Sequence, residues 1–327
     1  MQRIQKDKKL SRRRRKKMSK IQQRKQQKGY RTIRSQRSAI YRHLVSDVNS
    51  TKILDHLGEG FERELFLASL NNLSDKGNPV RFNNFAYCMR EIITLILARY
   101  SSDEDIINCC WYKNETDKEN GVTRAQRVKY SIQGGFSDNE VYQLLDLVKE
   151  DEKIIDETLK SFTKRFKELN QHTHLRESRF NIGDELCESL ASEVLDVMNS
   201  ILELIEDSRE RVKAQLEGTI DETLISEFIG STFEELDILS THTVVDYSEL
   251  DFYHVDRISS EHVTISGQGT VHCDLQWGSG SDMRNGVGAS MSESFPYEFS
   301  ARSKLKDLQS LELCEEGITV DTDSWYE

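Results

Sequence analysis

THTVVDYSELDFYHVDRI (residues 241–258) is where the chain changes character. Apolar and polar side chains alternate through it, the period of a strand with one face buried. EHVTISGQGTVHCDLQWG (261–278) and ESFPYEFSARSKL (293–305) repeat the pattern between breaks containing Gly and Ser. Three to five antiparallel strands are expected in a β domain covering 240–305. Between Thr51 and Ser240 the apolar residues recur on the helical period instead, with Asn114–Val122 reading as a polar loop. The expected class is α+β: a helical bundle, then a long helix, then a small antiparallel β domain.

Working back from Ser240, Asp221–Leu239 carries Leu224, Phe228, Phe233 and Leu236 at helical spacing. Residues 183–217 do the same with Leu186, Leu190, Val194, Val197, Ile201, Leu204 and Ile205, and Gly218 reads as the stop between the two helices. Together they form an expected connector over 176–239. Further upstream, Ile53, Leu54, Leu57, Phe61, Leu65 and Leu70 make one stripe, ended by SDKGNP (74–79). Phe82–Tyr100 is the most apolar helix, and Arg90 within it needs a partner. Thr123–Gln133 is a short basic helix stopped by Gly134 and Gly135. Ser101-x-x-Glu104 and Ser137-x-x-Glu140 read as capping boxes, the second opening a helical region over 138–171. These helices define an expected domain over 44–175. Downstream, GSGSDMRNGVG (278–288) reads as a loop between strands; it lacks GxxxxGK[ST] and opens no helix, which argues against a nucleotide cradle. Residues 306–327 read as an acidic tail.

Charge divides the chain. Residues 1–43 hold 18 of the 45 Lys and Arg and one of the 56 acids, a net +17 against −28 for the rest. RRRRKK, that is Arg12, Arg13, Arg14, Arg15, Lys16 and Lys17, is the centre of a basic arm expected to be disordered. Such an arm grips phosphates without reading sequence; a solubilising or targeting tail is the plainer alternative. The six cysteines (88, 109, 110, 187, 273 and 314) form no CxxC pair, so neither a zinc site nor a disulfide framework is expected. No cofactor is implied. The longest apolar run, near Ile92–Ala98, is too short for a membrane span, and a cytoplasmic location is expected.

SFTKRFKELNQHTHLR (161–176) concentrates the chemistry. Arg165 and His172 are seven apart, which at 3.6 residues per turn returns almost to the same helix face. Glu168 falls between them, with Asn170 and His174 close by. A fixed cation beside a titratable imidazole suits phosphodiester chemistry. The Arg-x(4–6)-His pattern resembles the signature of HEPN-type ribonucleases, whose motif lies on a late helix of a small bundle. The resemblance implies catalytic roles for Arg165, His172, Asn170 and His174. A common HEPN form has a polar residue directly after the Arg, where this chain has Phe166. Arg37–His43 and Arg257–His262 show the same spacing, the first beside the arm and the second across an expected hairpin turn. The structural alternative is that Arg165 and Glu168 form a surface pair while His172 closes the helix.

A second resemblance rests on HTHLRESRF (172–180), LSTHTVVD (239–246), GTVHCDLQWGSGSD (269–282), RNGVGA (284–289), SFPYEF (294–299) and SWYE (324–327). The segment from about His174 onward is similar to the predicted pPIWI-associating nucleases. That likeness implies a bacterial conflict or antiviral setting, a PIWI-like partner and action on nucleic acid, but transfers no catalytic residues.

Three functions stand open at this level. The first is a metal-independent HEPN-like endoribonuclease acting as a homodimer, with His172 moving the proton and Arg165 stabilising the phosphate charge. The second is a non-catalytic scaffold that holds nucleic acid, RNA before DNA, and docks a PIWI-like partner. The third is a metal-dependent nuclease built on Asp246, Asp251 and Asp274, which requires those carboxylates to converge. No Glu-x-Lys strand accompanies them.

Overall fold

A computed structural model describes residues 36–146, 153–231 and 233–326. The architecture is α+β, with helices through the first two-thirds and a four-stranded antiparallel sheet near the C-terminal end. Two compact units divide the chain: residues up to Leu95 with Lys164–Asn199, and Ile96–Thr163 with residues from Ser200 on. This partition differs from the expected linear one, because helices α4, α8 and α9 each contribute to both units.

The first unit is helical. Residues 36–45 form α1, followed by α2 (Val48–Leu57), α3 (Phe61–Ser74) and α4 (Arg81–Tyr100), the last contributing up to Leu95. The end of α8 (Ile154–Thr173) and the start of α9 (Asp184–Gly230) complete it. Ile53, Leu70, Phe85, Met89 and Ile92 are fully buried, as the helical period expects, but on α3 Phe66 is the buried residue while Phe61 of the expected stripe is 65% exposed. Asp47 caps α2 by accepting from the Asn49 amide. Arg81 binds Asp184 at 2.6 Å, while Lys76 binds Glu188 at 2.9 Å, fixing the α3–α4 turn on the start of α9. Residues 36–43 were assigned to the basic arm, and they are helical here; the preceding basic run lies outside the described residues.

The second unit carries the sheet. Its helices are α5 (Asp103–Ile107), α6 (Arg124–Gln133), α7 (Asp138–Leu144), the first half of α8, the second half of α9, and the short α10 (Glu234–Asp237) and α11 (Gly280–Arg284). Strands β1 (His242–Ile258), β2 (His262–Trp277), β3 (Ala289–Lys304) and β4 (Asp307–Val320) pair in sequence order. On β2 the side chains of Val263, Ile265, Val271, Cys273 and Leu275 are buried, as are Phe295, Tyr297, Phe299 and Ala301 on β3. That face meets α9: the Tyr253 hydroxyl donates to the Lys213 carbonyl at 2.7 Å, and Phe228 and Tyr297 pack edge to face at 5.0 Å. Among the described residues the opposite face is half-buried to exposed, as antiparallel sheets allow.

Glycine is required at two points. A Cβ on Gly269 would lie 2.3 Å from the Glu249 carbonyl oxygen and 2.4 Å from the Tyr297 ring. One on Gly134, at φ 56°, would lie 2.3 Å from Ile258, where the end of α6 meets the β1–β2 turn.

Several expectations are corrected. Gly218 does not stop a helix: α9 runs unbroken from Asp184 to Gly230, 47 residues, with nothing near the Gly218 Cα to force a bend. A single helical glycine costs only about 1 kcal/mol, which the buried stripe on either side offsets. Residues 306–327 are no tail. Most of them are β4, whose Leu311, Leu313, Ile318 and Val320 pair with β3 despite the surrounding acids. The closing Trp325 stacks on Trp277 with centroids 6.2 Å apart. The glycine-rich loop does open a helix, α11, with a Ser279–Asp282 capping box. Ser101 does not cap α5; its hydroxyl donates to the Leu97 carbonyl at 2.6 Å, and Ser102 takes the N-cap position. The box at Ser137 and Glu140 is present.

Candidate active site on the sheet

The Arg165–His172 segment forms the last turns of α8, within the first unit. Arg165 is held on two sides, by Glu168 at 2.6 Å and by Glu193 of α9, and its side chain is only 18% exposed. Its charge is thus spent on two carboxylates. The His172 ring packs edge-on against Phe82, with centroids 4.8 Å apart, and its Nδ1 is enclosed without a hydrogen-bond partner. Burial pulls the imidazole pKa down, the Arg179 charge adds to that, and Glu168 opposes it. Asn83 donates to the His172 carbonyl at 2.6 Å, an end-of-helix contact. Asn170 offers its carbonyl to the Thr173 hydroxyl, and His174 is exposed just beyond the helix. Arg90 finds its partner in Glu91 at 2.6 Å. Arg165 and His172 therefore sit in separate contacts. The other two Arg–His spacings fare no better, with Arg37 paired to Asp75 and Arg257 to Asp105.

The carboxylates proposed for a metal are dispersed. Asp246 and Asp251, together with Asp256, fall at the three register shifts of β1, each the extra residue of a bulge. Asp274 accepts from Ser292 at 2.6 Å. Among the described residues no three His, Cys, Asp or Glu side chains gather as a metal site.

The open face of the sheet supplies a different group. Residues of even number on β2 point to it, opposite the buried odd ones. His272 lies there between Tyr247 of β1 and Ser294 of β3, its registered partners on either side. Tyr247 stacks on the imidazole with centroids 4.1 Å apart and planes 15° from parallel. Ser294 Oγ and His272 Nδ1 share a hydrogen bond of 2.7 Å. On the other edge, Nε2 is enclosed, has no hydrogen-bond partner and faces Glu249 Oε2 at 3.8 Å. Asp274 and Ser292 continue the row one pleat along, and Phe252, 53% exposed, stands farther down β1.

This is an imidazole held in one orientation, its side chain 24% exposed and its Nε2 enclosed, with a carboxylate beside that edge. Groups of that kind transfer protons to and from phosphodiester oxygens. Alternation puts His272 and Asp274 on one strand face, but only Asp274 was singled out from the sequence. Tyr247, Glu249 and Ser294 were missed, because their meeting with His272 depends on strand register.

Fold and site thus define an α+β protein with a Tyr–His–Ser row and a neighbouring glutamate on the outer face of an antiparallel sheet. Two family models match the chain, both described as predicted pPIWI-associating nuclease, over residues 54–198 and 205–326. The chain belongs to that family. The likeness read from His174 onward thus extends back through the helices, so the segment read as HEPN-like is part of the same family's sequence. No curated protein and no solved structure matches. No described helix is long and apolar enough to cross a membrane.

Proposed function

We propose that this chain is an endoribonuclease that acts beside a PIWI-like partner, with its chemistry on the open sheet face rather than at Arg165 and His172. The orientation of His272 between Tyr247 and Ser294, with Glu249 facing Nε2, carries this reading. It lies inside residues 205–326, matched to the nuclease family. A carboxylate and an imidazole side by side suit transphosphorylation of RNA. Glu249 takes the proton of a 2′-hydroxyl, whose oxygen attacks phosphorus. The bond to the 5′-oxygen breaks, and protonated His272 gives that oxygen its proton. A 2′,3′-cyclic phosphate and a 5′-hydroxyl end result. DNA lacks the nucleophile, which favours RNA as substrate.

All four residues come from one sheet, so the reading does not require a homodimer. The basic run that precedes α1, with 16 Lys and Arg in residues 1–35, supplies the phosphate attraction that an acidic body lacks. Cytoplasmic action in an antiviral conflict system belongs to the same proposal.

The rival HEPN-like reading is decided by one experiment. Cleavage of labelled RNA and DNA is compared for wild type, His272→Ala, Glu249→Gln, His172→Ala and Arg165→Ala, with and without EDTA. The sheet reading expects RNA cleavage that survives EDTA and falls about 100-fold or more in His272→Ala and Glu249→Gln. Loss confined to the His172 and Arg165 variants returns the site to α8. Binding without cleavage leaves the scaffold function.

A further inference from the structure

Tyr247, Glu249 and Phe252 follow one another along β1 on the outer side of the sheet. They stand opposite His272, Thr270 and Gln268, the outward side chains of β2. Unbroken alternation from Glu249 would send Phe252 inward; the extra residue of the bulge, Asp251, turns it out. Tyr247 is 47% exposed and Phe252 53%. His272 covers one face of the Tyr247 ring, and β1 is an edge strand, so the sheet leaves the other face uncovered. Two exposed rings thus bracket Glu249, the carboxylate that takes the 2′-hydroxyl proton in the reaction proposed above. Their partners His272 and Gln268 are four positions apart on β2, about 13 Å at ~3.3 Å per residue.

Charge on this face argues against one way of holding RNA. Glu249, Asp274 and Glu298 lie on it. Its arginines are engaged, Arg257 with Asp105 and Arg302 with Glu312. Phosphates find little attraction there, so affinity at the site has to come from the bases. Aromatic rings stack on bases of any sequence, and an unpaired base is the one free to turn its face to them.

We propose that Tyr247 and Phe252 are base-stacking residues that select single-stranded RNA, one on each side of the scissile phosphodiester. A duplex keeps its bases stacked on one another and offers neither ring a partner. The inference rests on the cleavage site at His272 and Glu249, while Phe252 itself takes no part in proton transfer.

The test is fluorescence anisotropy of the full chain with a labelled 2′-O-methyl RNA, which lacks the nucleophilic hydroxyl and stays intact. The RNA is presented single-stranded or annealed to its complement, to wild type, Phe252→Ala and Phe252→Trp. Cleavage of the unmodified strand is measured alongside. Phe252→Ala should weaken the single strand about 5-fold or more, leave the duplex unchanged, and raise KM with little change in kcat. Phe252→Trp keeps a stacking face and should bind the single strand as wild type does. The basic run meets the phosphates of either form, so only the difference between variants is read. Equal single-strand affinity in wild type and Phe252→Ala, or equal weakening of both forms, overturns the stacking proposal even where cleavage through His272 and Glu249 is intact. Single-strand binding that depends on Phe252 without cleavage in any variant supports the stacking and overturns the chemistry instead.

Discussion

The rings of Tyr247 and His272 lie face to face across β1 and β2, 4.1 Å between centroids. A stacked neighbour on one side and a hydrogen bond to Ser294 at 2.7 Å leave the imidazole little freedom to turn. The edge it presents toward Glu249 is therefore set by the sheet. That preorganisation is what acid–base catalysis draws on, since misplacement by about 1 Å can cost about 100-fold in rate.

Removing the stack should release the ring. Tyr247→Ala is expected to lower the RNA cleavage rate about 10-fold or more, while Tyr247→Phe, which keeps the ring, stays near wild type. Initial rates on one labelled RNA compare the two, and equal rates for Tyr247→Ala and wild type would remove the stack from the mechanism.

Arg165 is expected to matter for stability. Arg165→Ala leaves Glu168 and Glu193 facing each other without their shared cation. A loss of about 1–3 kcal/mol follows, the range for hydrogen bonds to charged groups. Because Glu193 is 37% exposed, water screens part of that, and the lower end is expected. Urea unfolding measures it, and Arg165→Ala combined with Glu193→Ala should cost less than the two single changes added.

His172 gives stability a pH dependence. Burial lowers its folded-state pKa below the ordinary 6.5, so the unfolded chain binds the proton more readily. Its contribution is present above pH 6.5 and is lost as pH falls from there through the folded-state value. His172→Asn should flatten that part of the curve. Urea midpoints at pH 7.5 and 5.5 should separate more in wild type than in the variant.

Two glycines should respond in opposite directions. Gly218→Ala sits in an open stretch of α9 and should stabilise by about 0.5–1 kcal/mol. Gly269→Ala drives a methyl into the Glu249 carbonyl and the Tyr297 ring and should destabilise by about 1–3 kcal/mol. Thermal unfolding of both variants checks the pair. A neutral Gly269→Ala would mean that the β1–β2 spacing is looser than described.

Much of the architecture was legible. The helical period located Ile53, Leu70 and the core of Phe82–Tyr100, though Phe61 of the same stripe is exposed, and 261–278 is a strand as its alternation expects. These readings succeed because 3.6- and 2-residue periods are local consequences of backbone geometry. Where the period is interrupted, the reading fails. β1 carries an extra Asp at 246, 251 and 256, so its apolar residues drift between faces. β4 hides its apolar residues among acids that face outward. Gly218 carries a stop signal that the buried stripe on either side of it overrides.

The candidate site divides the same way. The sequence by itself determined the α+β class, the family, the basic arm and the separation of strand faces, all properties of neighbouring residues or of composition. Only the tertiary structure decided which side chains Arg165 and His272 meet. Glu193 reaches Arg165 from another helix, 28 positions along the chain, and closes it into a bridge. Tyr247 and Ser294 reach His272 from two other strands, 25 and 22 positions away, and open it toward Glu249. Strand register and helix packing set those meetings through long-range burial, and no local period encodes them.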